Sequence, residues 1–198
     1  MHELAKSEDP AVRVSAVLAL GTTARSAGTD AQARALQARE ELTEGAKAAR
    51  TTDDKVVYLT GAGNAGGQTA MDSARAALQD PRPDVREAAV MALRFAPAPL
   101  ADQLLIGVWL KDPMGSVRTA VSAAAAFRQL SPELLSAAIS VLHADTEVKV
   151  RVSVIRYLSA FREQAPPIAQ ALTAAATSDP SPDVRAAATQ ALGQTPSH

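Results

Sequence analysis

Apolar residues recur along most of the chain at the spacing of an amphipathic helix. The clearest run occupies positions i, i+3, i+4, i+7 and i+8 and consists of Val85, Ala88, Ala89, Ala92 and Leu93. Because a helix has 3.6 residues per turn, these positions share one face, which predicts a helix with a single buried stripe. The run follows Asp80-Pro81, and a proline just past a helix end cannot continue that helix. The pattern therefore predicts short helices separated by proline-containing turns.

This pattern is repeated six times. Each copy can be numbered from the residue just before a basic residue, and these reference positions are residues 12, 54, 85, 117, 150 and 184. The basic residue at position +1 is Arg13, Lys55, Arg86, Arg118, Arg151 or Arg185. The apolar residue at position +8 is Leu20, Ala62, Leu93, Ala125, Leu158 or Leu192. The first interval is 42 residues and the others are 31 to 34, which is typical of a helix–turn–helix repeat.

The repeats predict an all-α fold, a right-handed α–α superhelix of about six helix pairs. The reference positions mark the second helix of each pair. First helices are expected at about residues 30–50, 68–79, 99–111, 132–143 and 167–178. We expect residues 1–198 to form a single repeat domain. The first repeat has little of a first helix and neither end resembles a polar capping repeat, so we also expect a segment of a longer chain.

Two resemblances to known families accompany the repeats. The Asp-Pro-x-x-x-Val-Arg-x-x-Ala-x-x-x-Leu pattern of residues 80–93 and 179–192 is similar to that of the HEAT-repeat family. This resemblance implies a non-catalytic scaffold that binds a protein partner on a concave face lined by second helices. The family also includes short bacterial subunits of bilin lyases, so a subunit of an enzyme complex is a third reading. Residues 36–160, with Gly63-Asn64-Ala65-Gly66, resemble the helical domain of vitellogenin-type large lipid transfer proteins, which implies lipid binding.

A glycine-rich run in the second repeat has two interpretations. Residues 61–66, Gly-Ala-Gly-Asn-Ala-Gly, satisfy the G-x-G-x-x-G pattern of a dinucleotide-binding turn. Such a site needs a second parallel strand after the following helix, yet residues 80–86 continue the repeat instead. Glycine also follows position +8 at Gly21 and Gly193, where it is suited to ending a helix. We therefore favour an inter-repeat turn over a nucleotide site.

The amino-acid composition limits the functions that the chain can have. The net charge is −1, which argues against nucleic-acid binding, because phosphate neutralisation needs a basic face. There is no cysteine, and the three histidines (His2, His143 and His198) are scattered, so we predict no metal site, no cofactor and no catalytic residue. Alanine makes up 44 of the 198 residues, which suits closely packed helices. No signal peptide or membrane-spanning run is apparent, and localisation stays open, with the cytoplasm expected for a complete chain.

Three candidate features have a structural and a functional interpretation. The basic residues at position +1 either line a groove for an acidic partner or form hydrogen bonds with Asp80, Asp112, Asp145 and Asp179, six residues before four of them. His143 and Asp145 could be half of a hydrolytic triad, although no nucleophile turn accompanies them. Trp109 is either a core residue or a buried anchor for a partner. We favour the structural interpretation of each.

The second helices are apolar nearly all round. Positions +2, +5 and +6 should face outward, and from them we predict a concave interaction face containing Val14, Val56, Leu59, Met91, Val152, Ile155 and Arg156. A continuous apolar surface favours a protein partner, with lipid as the alternative. Strong curvature could instead hide these positions against neighbouring helices. Self-association through the open ends of the superhelix is a further expectation.

Overall fold

The structure is a computed structural model in which residues 2–25 and 32–193 are described. The chain divides into two compact units, Met1–Ala101 and Asp102–His198. Residues 30–31 of the predicted first helix, and His198, lie outside the described residues. Every regular element in the described ranges is helical, which confirms the all-α class. The segment Lys55–Leu59, which a dinucleotide-binding fold would need as a strand, is helical as well.

Unit 1 contains three helix pairs. The first helices are α1 (His2–Ala5), α3 (Gln32–Ala48) and α5 (Gly67–Ala77), and the second helices are α2 (Pro10–Arg25), α4 (Thr52–Ala65) and α6 (Pro83–Ala92). A 3-10 turn, Leu93–Phe95, follows α6. The described part of the first helix predicted at 30–50, and the one predicted at 68–79, are confirmed. The short α1 matches the incomplete first repeat that the sequence predicts.

Unit 2 repeats the arrangement with three more pairs. The first helices are α7 (Leu100–Lys111), α9 (Pro132–Ala144) and α11 (Pro166–Ser178), and the second helices are α8 (Gly115–Ala125), α10 (Val148–Ser159) and α12 (Pro182–Gly193). Proline occupies the first turn of α9, α11 and α12, where its missing N–H costs no hydrogen bond. The three first helices predicted in this unit are confirmed to within one residue at each end.

Each unit is built as two layers of helices. In unit 1, α4 packs against both α2 and α6, and the first helices α3 and α5 pack against each other. In unit 2, α10 packs against both α8 and α12, while α9 packs against α11. The second helices α4 and α10 therefore each have their own first helix, α3 or α9, on one side and second helices on both flanks. Stacking of this kind buries a continuous core that a single helix pair could not provide.

The core follows the register that the sequence predicts. Position +8 is fully buried at Leu93 and Leu158, and position +4 at Ala89 and Val154. Trp109 is 1% exposed, which confirms its assignment to the core. Its ring meets that of Tyr157 edge to face, with 5.5 Å between the centroids. Tyr157 is buried too, and burial, together with the negative charge of Asp102, raises the pKa of its hydroxyl far above the ordinary value.

Candidate functional site

The basic residues at position +1 join successive repeats of unit 2. Arg118 donates to the carbonyl oxygen of Asp112 (2.8 Å), and its Nε and Nη2 donate to the two carboxylate oxygens of Asp145 (2.6 and 2.9 Å). Arg151 repeats this geometry with the carbonyl of Asp145 (2.9 Å) and the carboxylate of Asp179 (both 2.8 Å). Both ion pairs are nearly buried. The Arg–Asp interpretation is therefore confirmed here, and these guanidiniums are engaged inside the fold.

Unit 1 contains a less regular version of the same ladder. Arg13 donates to Asp54 through Nε alone (2.9 Å), and Lys55 reaches Asp80 (2.7 Å). Asp80 also accepts two hydrogen bonds from the side chain of Arg82, at 2.8 Å each. Arg86 donates to the carbonyl oxygens of Asp80 (3.0 Å) and Pro81 (3.2 Å). We call the position +1 residues and their aspartates in both units the Arg–Asp ladder.

The ladder carboxylates are held in their ionised form. Hydrogen bonds from the Arg82 side chain hold the pKa of Asp80 far below its ordinary value of 3.8, with Lys55 adding to the effect against the opposing cost of burial. Arg151 lowers the pKa of Asp179 in the same way. Burial acts to raise the pKa of Asp145, but Arg118 and the backbone N–H of Glu147 outweigh it and lower the pKa. These groups stabilise the fold and are not poised for proton transfer.

The glycine-rich run forms the last turn of α4 and the start of the inter-repeat turn. Gly61 and Gly63 lie inside α4 where neighbouring helices approach closely. A Cβ on Gly61 would be 2.9 Å from the carbonyl oxygen of Val17, and one on Gly63 would be 2.8 Å from the Cα of Ala92. Gly66 has φ +71 and begins the turn into α5, a conformation that favours glycine. The predicted helix end and turn are therefore confirmed at Gly66, whereas Gly61 and Gly63 are explained by close helix packing, which the sequence did not predict.

The remaining candidates do not form a catalytic group. His143 is exposed in the last turn of α9, while the carboxylate of Asp145 accepts hydrogen bonds from Arg118 and from the backbone N–H of Glu147. Within residues 2–25 and 32–193, no group of three or more metal-binding side chains comes together. No helix in the described ranges has the length and apolar character to cross a membrane. A pocket of about 280 Å³ in unit 2 lies between the ends of α7 and α9, but its arginine, Arg118, belongs to the ladder.

The predicted interaction face needs one correction. Position +5 is not outward: Leu59 and Ile155 are each 1% exposed, and Val17 at the same position is fully buried. The reason is that adjacent second helices contact each other at this position. A Cβ on Gly61 of α4 would touch Val17, and Ser122 at position +5 of α8 hydrogen-bonds Ser153 of α10 at 2.8 Å. At Val17 and Ser122, position +5 therefore packs against the next second helix. Leu59 and Ile155 are buried at the same position and belong to the core, whereas Thr189 of α12 is exposed.

Positions +2 and +6 remain at the surface, and we call them the second-helix face. They lie four residues apart on one side of each helix. In unit 1 they are Val14, Leu18, Val56, Thr60, Glu87 and Met91, all at least partly exposed. In unit 2 they are Thr119, Ala123, Val152, Arg156, Ala186 and Gln190, also at least partly exposed. The face is thus mainly apolar in unit 1 and mainly small or polar in unit 2.

One feature escaped the sequence reasoning. Arg25, at the end of α2, and Arg94, just after α6, both lie against the ring of Phe95, with guanidinium carbons 4.8 and 5.0 Å from its centroid. The two arginines are 69 positions apart in the chain, so no local pattern links them. The only available signal was the Leu93-Arg94-Phe95 turn, in which an arginine and an exposed aromatic residue follow the +8 leucine.

A family comparison matches most of the chain. The model for HEAT repeats matches residues 39–126 and 110–193. Known curated protein sequences provide no match. The resemblance of residues 36–160 to vitellogenin-type proteins stays a prediction, and the lipid-transport reading with it.

Solved structures with a similar fold are repeat proteins. The YibA protein of Escherichia coli aligns with a TM-score of 0.57 at 15% identity, over 98% of this chain and 80% of that one. An archaeal HEAT-like repeat protein from Thermococcus onnurineus aligns with a TM-score of 0.51 at 17% identity, over 96% and 83%. A designed armadillo repeat protein in complex with the peptide (KR)4 gives 0.53 at 15% identity, over 96% and 95%. These likenesses confirm the superhelical repeat fold.

Proposed function

Since the chain belongs to the HEAT-repeat family, we propose that it is a non-catalytic protein-binding module that uses the second-helix face of unit 1. HEAT and armadillo-like repeats form a scaffold fold that commonly serves protein binding. The observation that carries the proposal is the apolar character of that face, where Val14, Leu18, Val56 and Met91 stay partly exposed on three adjacent helices. A contiguous apolar surface on a folded protein usually marks an interaction site.

The chemistry of the described residues supports binding over catalysis. The charged side chains of the Arg–Asp ladder are engaged with one another or with backbone carbonyl oxygens, and the exposed side chain of His143 forms no hydrogen bond with the described residues. A binding face needs only shape and apolar area, with a polar rim. The designed armadillo repeat protein of similar fold forms a complex with the peptide (KR)4, so a fold of this class is able to bind a peptide.

The face can be tested with a matched pair of variants. Peptides are selected from a random library on the immobilised full chain, and the affinity of each is then measured by fluorescence anisotropy. We expect Met91→Asp to weaken binding about tenfold or more, because it places a charge in the apolar contact. Ala123→Asp, at the same position +6 in unit 2, should leave the affinity unchanged.

The opposite pattern would contradict the proposal. If Ala123→Asp weakens every selected peptide and Met91→Asp none, the binding surface lies in unit 2. A parallel sedimentation assay with phosphatidylcholine vesicles addresses the lipid alternative. Vesicle binding that Met91→Asp abolishes, with no peptide selected, would replace the protein partner with a lipid.

A further inference from the structure

We propose that Arg25 and Arg94 form a carboxylate-binding corner of the unit 1 second-helix face, so that the partner presents an acidic side chain beside apolar ones. This inference rests on the proposed function, because it names the chemistry of the same partner. The corner consists of Arg25, Arg94 and Phe95, and Asn64 supports it. It adjoins the face through Met91, which lies at position +6 of the same helix that ends just before Arg94.

Arg94, the inner arginine of the corner, is held in one geometry before any partner arrives. Nη1 of Arg94 donates to the carbonyl oxygen of Met91 at 2.7 Å, and Nη2 donates to Oδ1 of Asn64 at 2.6 Å. Both guanidiniums also lie within 5.0 Å of the Phe95 ring centroid, at the distance of a cation–π contact. A group fixed in this way loses little conformational entropy when it binds, which favours affinity.

The corner carries positive charge that no described carboxylate balances. Arg25 is exposed, and neither it nor Arg94 forms an ion pair within residues 2–25 and 32–193. Burial, with the neighbouring charge of Arg25, lowers the pKa of the Arg94 guanidinium. Two like charges therefore stand close together at a partly desolvated site. A carboxylate placed there would relieve their repulsion and accept charge-assisted hydrogen bonds.

In unit 2, the arginines in the turns after the second helices form hydrogen bonds within the fold. Arg128, in the turn after α8, donates to Asp102 at 2.6 Å, and both side chains are nearly buried. Arg162, in the turn after α10, donates to the carbonyl oxygens of Ala191 (2.8 Å) and Leu192 (2.9 Å) at the end of α12. In unit 2 these turn arginines therefore serve the fold, whereas the corner of unit 1 keeps its charge available.

The aromatic ring and the apolar face decide which anion fits. Phe95 is 39% exposed beside the two guanidiniums, and its backbone and Cβ lie against Gly66 at the end of α4. An anion approaching here meets apolar surface on the side of Met91. A peptide that pairs glutamate or aspartate with leucine-like side chains complements both parts, because apolar groups fill the face and the carboxylate reaches the arginines.

Three synthetic peptides test the charge requirement. Each is eight residues long and alternates leucine with glutamate, glutamine or lysine, and binding to the full chain is followed by fluorescence anisotropy. We expect the leucine–glutamate peptide to bind most tightly and the leucine–lysine peptide least. The advantage of the glutamate peptide should shrink as salt rises from about 50 mM to about 500 mM, because salt screens exposed charges.

Two arginine variants locate the effect. Arg25→Gln should weaken the glutamate peptide by about fivefold, the size expected for an exposed ion pair, and leave the glutamine peptide unchanged. Arg75→Gln removes an equally exposed charge from α5 and should change neither affinity. Arg25→Gln removes the cation–π contact with Phe95 but no hydrogen bond between described residues, so the melting temperature should fall only slightly; circular dichroism checks this.

The outcomes separate the inference from the proposed function. If all three peptides bind equally and Met91→Asp weakens all of them, the carboxylate corner is wrong and the apolar face stands. If the lysine peptide binds best, or if none of the three binds while library-selected peptides do, the corner is also wrong. If the glutamate preference persists in Arg25→Gln but disappears in Arg75→Gln, the anion site lies on α5. If Met91→Asp weakens the binding of no peptide, whether synthetic or library-selected, both proposals are wrong.

Discussion

The two units use the same internal chemistry and differ at their surfaces. Both place an arginine or lysine at position +1 and connect it to an aspartate of the following repeat. Both bury positions +5 and +8 of α4 and α10 almost completely, and position +4 is buried in α10 and partly buried in α4. On the second-helix face, however, unit 1 presents valine, leucine and methionine, and unit 2 presents mainly alanine, threonine, arginine and glutamine.

The difference separates what the repeat requires from what the binding site requires. Positions that hold a repeat together must be similar in every copy, since each copy packs in the same way. Positions +2 and +6 are not needed for that packing, so their residue types are free to serve a partner. The apolar face and the arginine corner both lie in unit 1, which is why the proposals place the partner there.

The largest expected effect concerns the part that the two units share. Leu93→Asp and Leu158→Asp each put a carboxylate at a fully buried position +8, and each should cost several kcal/mol, about 4 or more. Urea unfolding followed by circular dichroism would measure this. The fluorescence of Trp109, which lies in unit 2, would show whether Leu93→Asp in unit 1 unfolds both units together, as the predicted single domain requires. A variant that keeps wild-type stability would show that position +8 does not support the core.

The next effect compares the ladder in the two units. Arg151→Gln leaves the nearly buried carboxylate of Asp179 without its bidentate partner and should cost about 3 kcal/mol. Lys55→Gln should cost only about 1 kcal/mol, because Lys55 is more exposed and Arg82 still binds Asp80. Urea midpoints of the two variants would test the order. Equal losses would mean that the irregular ladder of unit 1 is as stabilising as the regular ladder of unit 2.

Acid should weaken both ladders. The pKa values of Asp80, Asp145 and Asp179 are lowered in the folded chain, so the unfolded chain takes up protons first as the pH falls. The stability they contribute is present above their ordinary value of 3.8 and is lost as the pH falls through the folded pKa values. Melting temperatures between about pH 5 and about pH 2 should show this decline. Asp145→Asn should have a shallower decline, and an unchanged slope would contradict the assignment.

The smallest effect on stability is expected at the second-helix face. Met91→Asp and Ala123→Asp replace partly or fully exposed residues, and each should change the free energy of unfolding by less than about 1 kcal/mol. Thermal melts of both variants would check this. If Met91→Asp unfolds the chain as Leu93→Asp does, position +6 of α6 is part of the core and cannot be a binding face.

The repeat register was enough to predict the helices, the core at Leu93 and Trp109, and the Arg–Asp ladder. These features follow from local spacing, because helix ends, buried stripes and Asp–Arg contacts recur in every copy. Position +5 was predicted wrongly, since a single helix pair gives no information about the flank covered by the next second helix. Leu59 and Ile155 are buried by that neighbour, and only the packing of α4 and α10 between two helices reveals it.

The arginine corner was unpredictable for a related reason. Arg25 and Arg94 come from different repeats, and the contact depends on how α2, α4 and the turn after α6 stack. The apolar residues of the second-helix face were predicted, but the contrast between the units was not, because Val152 and Arg156 were placed in one face with Val14 and Met91. The structure shows that all four residues are at least partly exposed, and it places Val14 and Met91 in unit 1 and Val152 and Arg156 in unit 2.

Methionine methyl resonances give the most direct test of the claim that the partner binds to unit 1. Three methionines in the described residues report different places: Met91 on the second-helix face of unit 1, Met71 in its core, and Met114 exposed in unit 2. The chain is labelled with carbon-13 methionine methyl groups and titrated with the leucine–glutamate peptide. We expect the Met91 signal to shift on binding while those of Met71 and Met114 do not. A saturating shift of Met114 with an unchanged Met91 signal would contradict it.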